Sequence, residues 1–441
     1  MSSARSAADG AGVGGAPGRL REAHAHIAEH GDELTCPNLS GCTSRDEALR
    51  MIAAAVRERG AELRRTGGWL RAVGARNTAW ADPRWPTAAE VDEAAEGLPT
   101  IVMSFDHHAL VAGSAVLKEI GFDADTPDPA GGVIERENGR VTGLLLEAAA
   151  WAARRAAPPP SPAQYEENVR AALADLARLG FGEVHDMLAS PQLARTLLAM
   201  ERRGELTMRI SLYATHEHFE TLARGELARP GDRVRLGGLK IFTDGTLNSR
   251  TAHMLAPFRE PMPGHERGTP LMSTDEIRAA VEFAASLGFP VAAHAIGDGA
   301  VRSVLDAVES ARARAPGQRI EHAEFVDERD VPRFAELGVI ASLQPCHLLT
   351  DVEAIRRFVP GRAERAFPLR ELIDSARARG LDPSRLVWLG SDAPIVRPDP
   401  EDSLWAAVER RRPGAPRSEA IAPRQAITRE EALACFVSAG P

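Results

Sequence analysis

The chain has 441 residues, 44% hydrophobic and 26% charged, with a formal net charge of -9 from 53 Lys and Arg against 62 Asp and Glu. With no basic block, that balance argues against a nucleic-acid partner, which needs clustered positive charge, and no stretch approaches the ~18 apolar residues of a membrane span. Four cysteines without a CxxC pair are too few for a disulfide scaffold, so plain thiols in a reducing, cytoplasmic setting are expected.

Residues 1–17 are rich in Ser, Ala and Gly, lack the apolar segment of a secretory signal, and read as a disordered tail. Leu20–His26 follows as a first strand. From residue 161 onward, strand-like and helical runs alternate. Ser161-Pro162-Ala163-Gln164 has the form of a helix start, and Gly180 stops that helix. Ser273-Thr274-Asp275-Glu276 and Thr428-Arg429-Glu430-Glu431 repeat the capping pattern. The remaining strands are expected at Gly182–Met187, Arg209–Ala214, Gly238–Asp244, Pro290–His294, Arg319–Glu324, Val339–Pro345 and Leu386–Asp392. Eight strands separated by helices make an α/β chain, a (β/α)8 TIM barrel built from residues 18–26 and 161–441. Residues 27–160 break the pattern. Ser44-Arg45-Asp46-Glu47 caps one helix to about Glu58, three tryptophans follow (Trp69, Trp80, Trp85), and Ala156–Pro162 is a stiff boundary. This stretch is expected to be a long insertion after strand one that covers the mouth of the barrel, with a separate small domain as the alternative.

Barrels of this kind place their chemistry at the C-terminal ends of the strands. There the sequence offers His24 and His26, Lys240, His294, His322 and Asp392, with Glu22 just before the first pair. His24 and His26 alternate along a strand, so both imidazoles face one side, a pattern suited to a divalent transition metal. Lys240 inside a parallel strand is costly unless partnered. It reads as a buried ion pair, as an outward-facing lysine, or as a neutral amine carboxylated by carbon dioxide to a carbamate bridging two metals. Singly, each histidine is ordinary core material; their shared position on strands one, five and six is what points to a metal.

The order His-x-His, Lys, His, His, Asp on strands one, four, five, six and eight resembles the amidohydrolase superfamily of metal-dependent hydrolases. Narrower stretches resemble its amidohydrolase family 3 branch, which includes N-substituted formamide deformylases: Leu39–Thr43, Asp106–His108 with Ala109-Leu110, Thr126–Pro129 with Gly131-Gly132, Gly143–Glu147, and Lys240–Arg250. The resemblance implies that His24, His26, Lys240 and Asp392 hold one metal ion and that Lys240, His294 and His322 hold another. It also implies that His108 and Arg250 line the pocket. Imidazole and carboxylate ligands suit zinc, with iron or manganese as the alternatives. The chain departs from the family pattern at Glu22, where Asp is usual, and at His107, where Gly is usual. Relatives also carry a β-sandwich built from both chain ends, which this chain is expected to lack.

The expected reaction is hydrolysis of an amide or formamide C–N bond by metal-activated water, with Asp392 as general base and His108 or Arg250 assisting at the oxyanion. Ester hydrolysis or decarboxylation at the same site, and a non-catalytic metal-binding protein, are the alternatives. The expected partner is a small-molecule substrate, with no nucleic acid and no membrane; the sequence leaves room for a homo-oligomer.

Overall fold

The structure is a computed structural model that describes residues 20–77, 80–105, 109–129, 132–262 and 264–437. The tail expected at residues 1–17 lies outside them. Thirteen strands occur in chain order: β1 (Leu20–Ala25), β2 (Leu70–Ala75), β3 (Thr100–Ser104), β4 (Ala109–Ala112), β5 (Gly132–Glu137), β6 (Arg140–Glu147), β7 (Phe181–Asp186), β8 (Arg209–Thr215), β9 (Val234–Phe242), β10 (Val291–Ala295), β11 (Arg319–His322), β12 (Ile340–Leu343) and β13 (Val387–Leu389). The chain divides into two compact units, residues 1–27 with 173–441, and residues 28–172.

In the first unit β1 and β7 to β13 form one eight-stranded sheet in the order β1-β7-β8-β9-β10-β11-β12-β13, with neighbouring strands parallel. Its outer edges meet. The Asp392 amide donates to the His24 carbonyl at 2.8 Å, the His26 amide donates to the Ala393 carbonyl at 2.8 Å, and Ala25 bridges Ala393 in parallel register. This closes a (β/α)8 barrel, with the eight strands at the places the sequence indicates. Parallel barrel strands are covered on both faces, which is why they read as near-continuous apolar runs. The crossover helices begin where their caps stand. Ser273 and Glu276 form a capping box at helix Thr274–Ser286, and Thr428 with Glu431 does the same at helix Arg429–Phe436.

The second unit is a five-stranded sheet in the order β2-β3-β4-β6-β5. β2 and β3 pair in parallel and the rest antiparallel. Strand alternation sends Leu70, Ala72, Val102 and Val111 into one core with Trp80, while Trp69, Val73, Ile101, Met103 and Leu110 enter another. The helix capped by Ser44 runs on to Thr66, past the Glu58 limit expected from sequence. Gly60 does not stop it, because that residue lies on the buried face; Gly67, at φ 69°, does. All four cysteines are free thiols. Among the described residues no helix is long and apolar enough to cross a membrane.

Candidate metal centre

Alternation along β1 puts Glu22 and His24 on one face, and His26 directly follows the strand with its ring centroid 5.5 Å from that of His24. Asp392, just beyond β13, completes that group: its Oδ1 lies 2.8 Å from His26 Nε2 and 3.4 Å from His24 Nε2. His322 ends β11 with φ 72°, and Asp392 has φ 64°. Left-handed backbone is uncommon for residues with a Cβ and marks stored strain. At His322 it breaks the strand alternation, so Glu321 and His322, adjacent in sequence, both reach the His24 imidazole. The His322 ring centroid is 4.8 Å from that of His24 and 4.5 Å from that of His294 on β10. His294 Nε2 lies 3.1 Å from the Gly245 carbonyl oxygen. Lys240, on β9, is buried and among the described residues has no carboxylate within 4.0 Å; its ammonium is 5.0 Å from the Phe242 ring centroid. Its charge nevertheless lowers His24, His294 and His322. The fold thus brings all six candidate ligands into one neighbourhood.

Electrostatics there favour neutral imidazoles around an ionised carboxylate. Burial lowers His24 to about 4 and His294 to about 3, and takes His322 well below the usual histidine range. Burial opposes ionisation of Asp392, but His24 and His26 outweigh it and hold the carboxyl well below the ordinary value. Burial also lowers Lys240 to about 8, against the pull of Glu321 and Asp392. Neutral imidazoles and a carboxylate are the protonation states that ligate a divalent metal. His322 Nδ1 is buried without a hydrogen-bond partner, and an orphaned buried acceptor fits a missing cation. The residues present therefore fit one or two such ions.

A buried charge network holds the centre from below. Glu321 Oε2 lies 2.8 Å from His24 Nδ1, and Arg319 pairs with Glu321 at 2.7 Å. Arg319 offsets the burial of Glu321 and keeps it ionised. An ionised carboxylate only accepts, so His24 Nδ1–H donates and Nε2 keeps its lone pair toward Asp392. Arg319 also donates to His185 Nδ1 at 2.6 Å, the Ala23 carbonyl at 2.8 Å and Ser342 Oγ at 3.0 Å. Sequence reasoning passed over Arg319 and Glu321 as holders of the centre, although two charges at i and i+2 of an apolar strand were a signal. It also missed His347 and Asp351. His347, at the start of helix His347–Phe358, places Nε2 4.0 Å from Asp392 Oδ2.

Other residues that the sequence singles out hold the surrounding backbone or have partners elsewhere. Glu22 is a backbone anchor: its Oε1 accepts from the His24 amide at 3.0 Å and the Ser391 amide at 2.9 Å. Arg250, at φ 58°, donates to the Glu260 carbonyl and lies over the Phe358 ring. His108, with Asp106 and His107, lies outside the described residues. Asp244, within the Lys240–Arg250 stretch, accepts from the amides of His253, Ile296 and Gly297 and so ties down the loops beyond β9 and β10.

Comparison with known proteins agrees with this geometry. The amidohydrolase family matches residues 16–439. A Bacillus subtilis (strain 168) protein, YtcJ, named as an amidohydrolase, is 30% identical over 88% of this chain and 72% of its own length. An N-substituted formamide deformylase of Arthrobacter pascens is 27% identical over 94% of this chain and 77% of its own. The crystal structure of an uncharacterized metal-dependent hydrolase from Pyrococcus furiosus superposes with a TM-score of 0.75 at 28% identity, covering 95% of this chain and 80% of that one. With six candidate ligands at the barrel mouth and a family match along nearly its whole length, the chain belongs to the amidohydrolase family of metal-dependent hydrolases.

Proposed function

We propose that this chain hydrolyses a C–N bond, an amide or formamide other than a peptide bond, in a small molecule, with Asp392 as general base. One observation carries the reading: the Asp392 carboxylate is held between His24 and His26, ionised, at the end of the last barrel strand. The likeness to an N-substituted formamide deformylase supports the choice of bond. When bound, divalent ions at this centre supply Lewis-acid activation of water and of the scissile carbonyl; imidazole and carboxylate donors suit zinc. Asp392 accepts the proton of the attacking water and passes it to the leaving amine. The Nδ1–H of His24 is fixed by Glu321, which keeps its Nε2 directed at Asp392.

Lys240 completes the proposal. Its burial and its lack of a close carboxylate favour the neutral amine. That amine adds carbon dioxide and loses a proton, giving an anionic carbamate suited to joining two metal sites. Four free thiols fit a reducing cytoplasm.

The test is a panel of formamides, other amides and esters, assayed with protein stripped by chelator and then reloaded with Zn2+. Metal-dependent cleavage of amides or formamides is expected, and Asp392→Asn should lower turnover by at least about 10²-fold with the fold intact. Turnover confined to esters, or full activity without metal, would overturn the proposal.

A further inference from the structure

A second cluster of ligating groups lies beside the centre, and the hydrolytic mechanism leaves two of its members, Glu324 and Asp351, without a task. Glu324 follows β11; His347 and Asp351 stand four residues apart on helix His347–Phe358, so they share a helix face. All three are buried, and one ligand atom from each lies within 4.8 Å of the others.

The arrangement of these atoms is incomplete as it stands. His347 Nε2 faces the Ser391 carbonyl oxygen at 3.1 Å. A carbonyl only accepts, so Nε2 carries a proton, and Nδ1 is the ring nitrogen left to face the cluster. It lies 3.8 Å from Glu324 Oε1, beyond hydrogen-bonding distance. Glu324 Oε2 is buried and has no hydrogen-bond partner among the described residues. Asp351 Oδ1 accepts from Asn248 Nδ2 at 2.7 Å, which orients the carboxylate, and its Oδ2 has no hydrogen bond among the described residues.

Two carboxylates and an imidazole converging in a buried space need positive charge among them, from a proton on Nδ1 or from a metal ion. A proton on Nδ1 would draw Glu324 in to about 2.7–2.9 Å. A metal ion with bonds of about 2.0–2.2 Å instead holds its ligand atoms well beyond hydrogen-bonding distance from one another. The geometry points to a further divalent-cation site formed by Glu324 and Asp351, each through a carboxylate oxygen, and His347 through Nδ1, next to the His24–His26–Asp392 centre. One imidazole with two carboxylates suits a cation of intermediate softness, Zn2+ or Mn2+. Asn248 acts from outside, orienting Asp351 as a hydrogen-bonded carboxylate ligand is usually oriented.

This inference is independent of the reaction proposed above. Full-length protein is stripped with chelator, equilibrated with Zn2+ alone and then with Mn2+ alone, and the bound ion is counted by elemental analysis. Glu324→Gln and Asp351→Asn preserve shape, and circular dichroism establishes that each is folded. Each folded variant should bind one ion fewer per chain than the unaltered protein, while His26→Ala should lose an ion from the other centre and keep this one. A crystal soaked in Zn2+ should show an anomalous peak between Glu324 and His347. Equal ion counts in the unaltered protein and both variants, with no such peak, would overturn the site in favour of a protonated His347. Failure of the main centre would show separately, as no loss of ion in His26→Ala.

Discussion

Glu22 is fully buried, yet its two oxygens have different surroundings. Oε1 accepts two backbone amides, while Oε2 has no hydrogen-bond partner among the described residues. Burial raises its carboxyl to about 7, only partly opposed by those amides. Its folded value therefore lies above its unfolded one, and keeping it ionised opposes folding above about pH 7, whereas below about 4.5 both states are protonated. Glu22→Gln keeps the accepting oxygen and removes the charge. In metal-free protein, the stability of this variant relative to the unaltered chain should rise as pH increases from about 4.5 to about 7 and level off above, read from denaturant midpoints. A difference independent of pH would show that Glu22 ionises in the folded protein as readily as in the unfolded chain, so that burial does not raise it. Lys240 is the second residue whose charge state matters. Lys240→Ala should lose activity, and a small added carboxylic acid should restore part of it if a carbamate normally stands there; no rescue beside a free ammonium in the metal-loaded protein would remove the carbamate.

A single short strand shows how an element organises the centre. On β11, Arg319 and Glu321 share a face, and the left-handed turn at His322 brings the next residue to the same site. The strand so delivers a candidate ligand together with the carboxylate that orients another. A partner of this kind typically changes metal affinity about 10–100-fold. Glu321→Gln should weaken Zn2+ binding by that order, measured by competition with a chromophoric chelator, and should alter the absorption spectrum of the Co2+-loaded protein. Unchanged affinity in a folded variant would reduce Glu321 to a packing role. Glu321→Ala is the harsher change, since it strips Arg319 of its carboxylate and a broken buried pair costs about 3–5 kcal/mol.

Two units share one chain, and they use their tryptophans differently from what a pocket would need. Trp80 is buried in one core of the 28–172 unit, edge-to-face with Trp85 at 5.9 Å, and Trp69 is buried in the other core while donating to Glu119. Their burial assigns Trp69 and Trp80 to the cores of this unit. Trp80→Ala should cost about 3–5 kcal/mol in denaturant unfolding and leave metal content unchanged. An altered substrate preference with no loss of stability would reverse that assignment.

The sequence by itself determined the barrel and the residues at its strand ends. Strands covered on both faces become apolar runs, caps and glycines punctuate the helices between them, and polar residues ending such runs stand out one by one. His24, His26, Lys240, His294, His322 and Asp392 were legible for that reason, and the helix from Ser44 was misjudged only in length, because burial of its face carried it past Gly60. What the fold alone decided is which charges meet. Glu321 holds His24 from nearly 300 positions away, Asp392 pairs with His26 across the closing seam of the barrel, and His347 converges with Glu324 and Asp351. Such pairings leave no local pattern, because a lone buried charge and a paired one look alike in sequence. The left-handed turns at His322 and Asp392 are hidden for the same reason: surrounding packing imposes them against local preference.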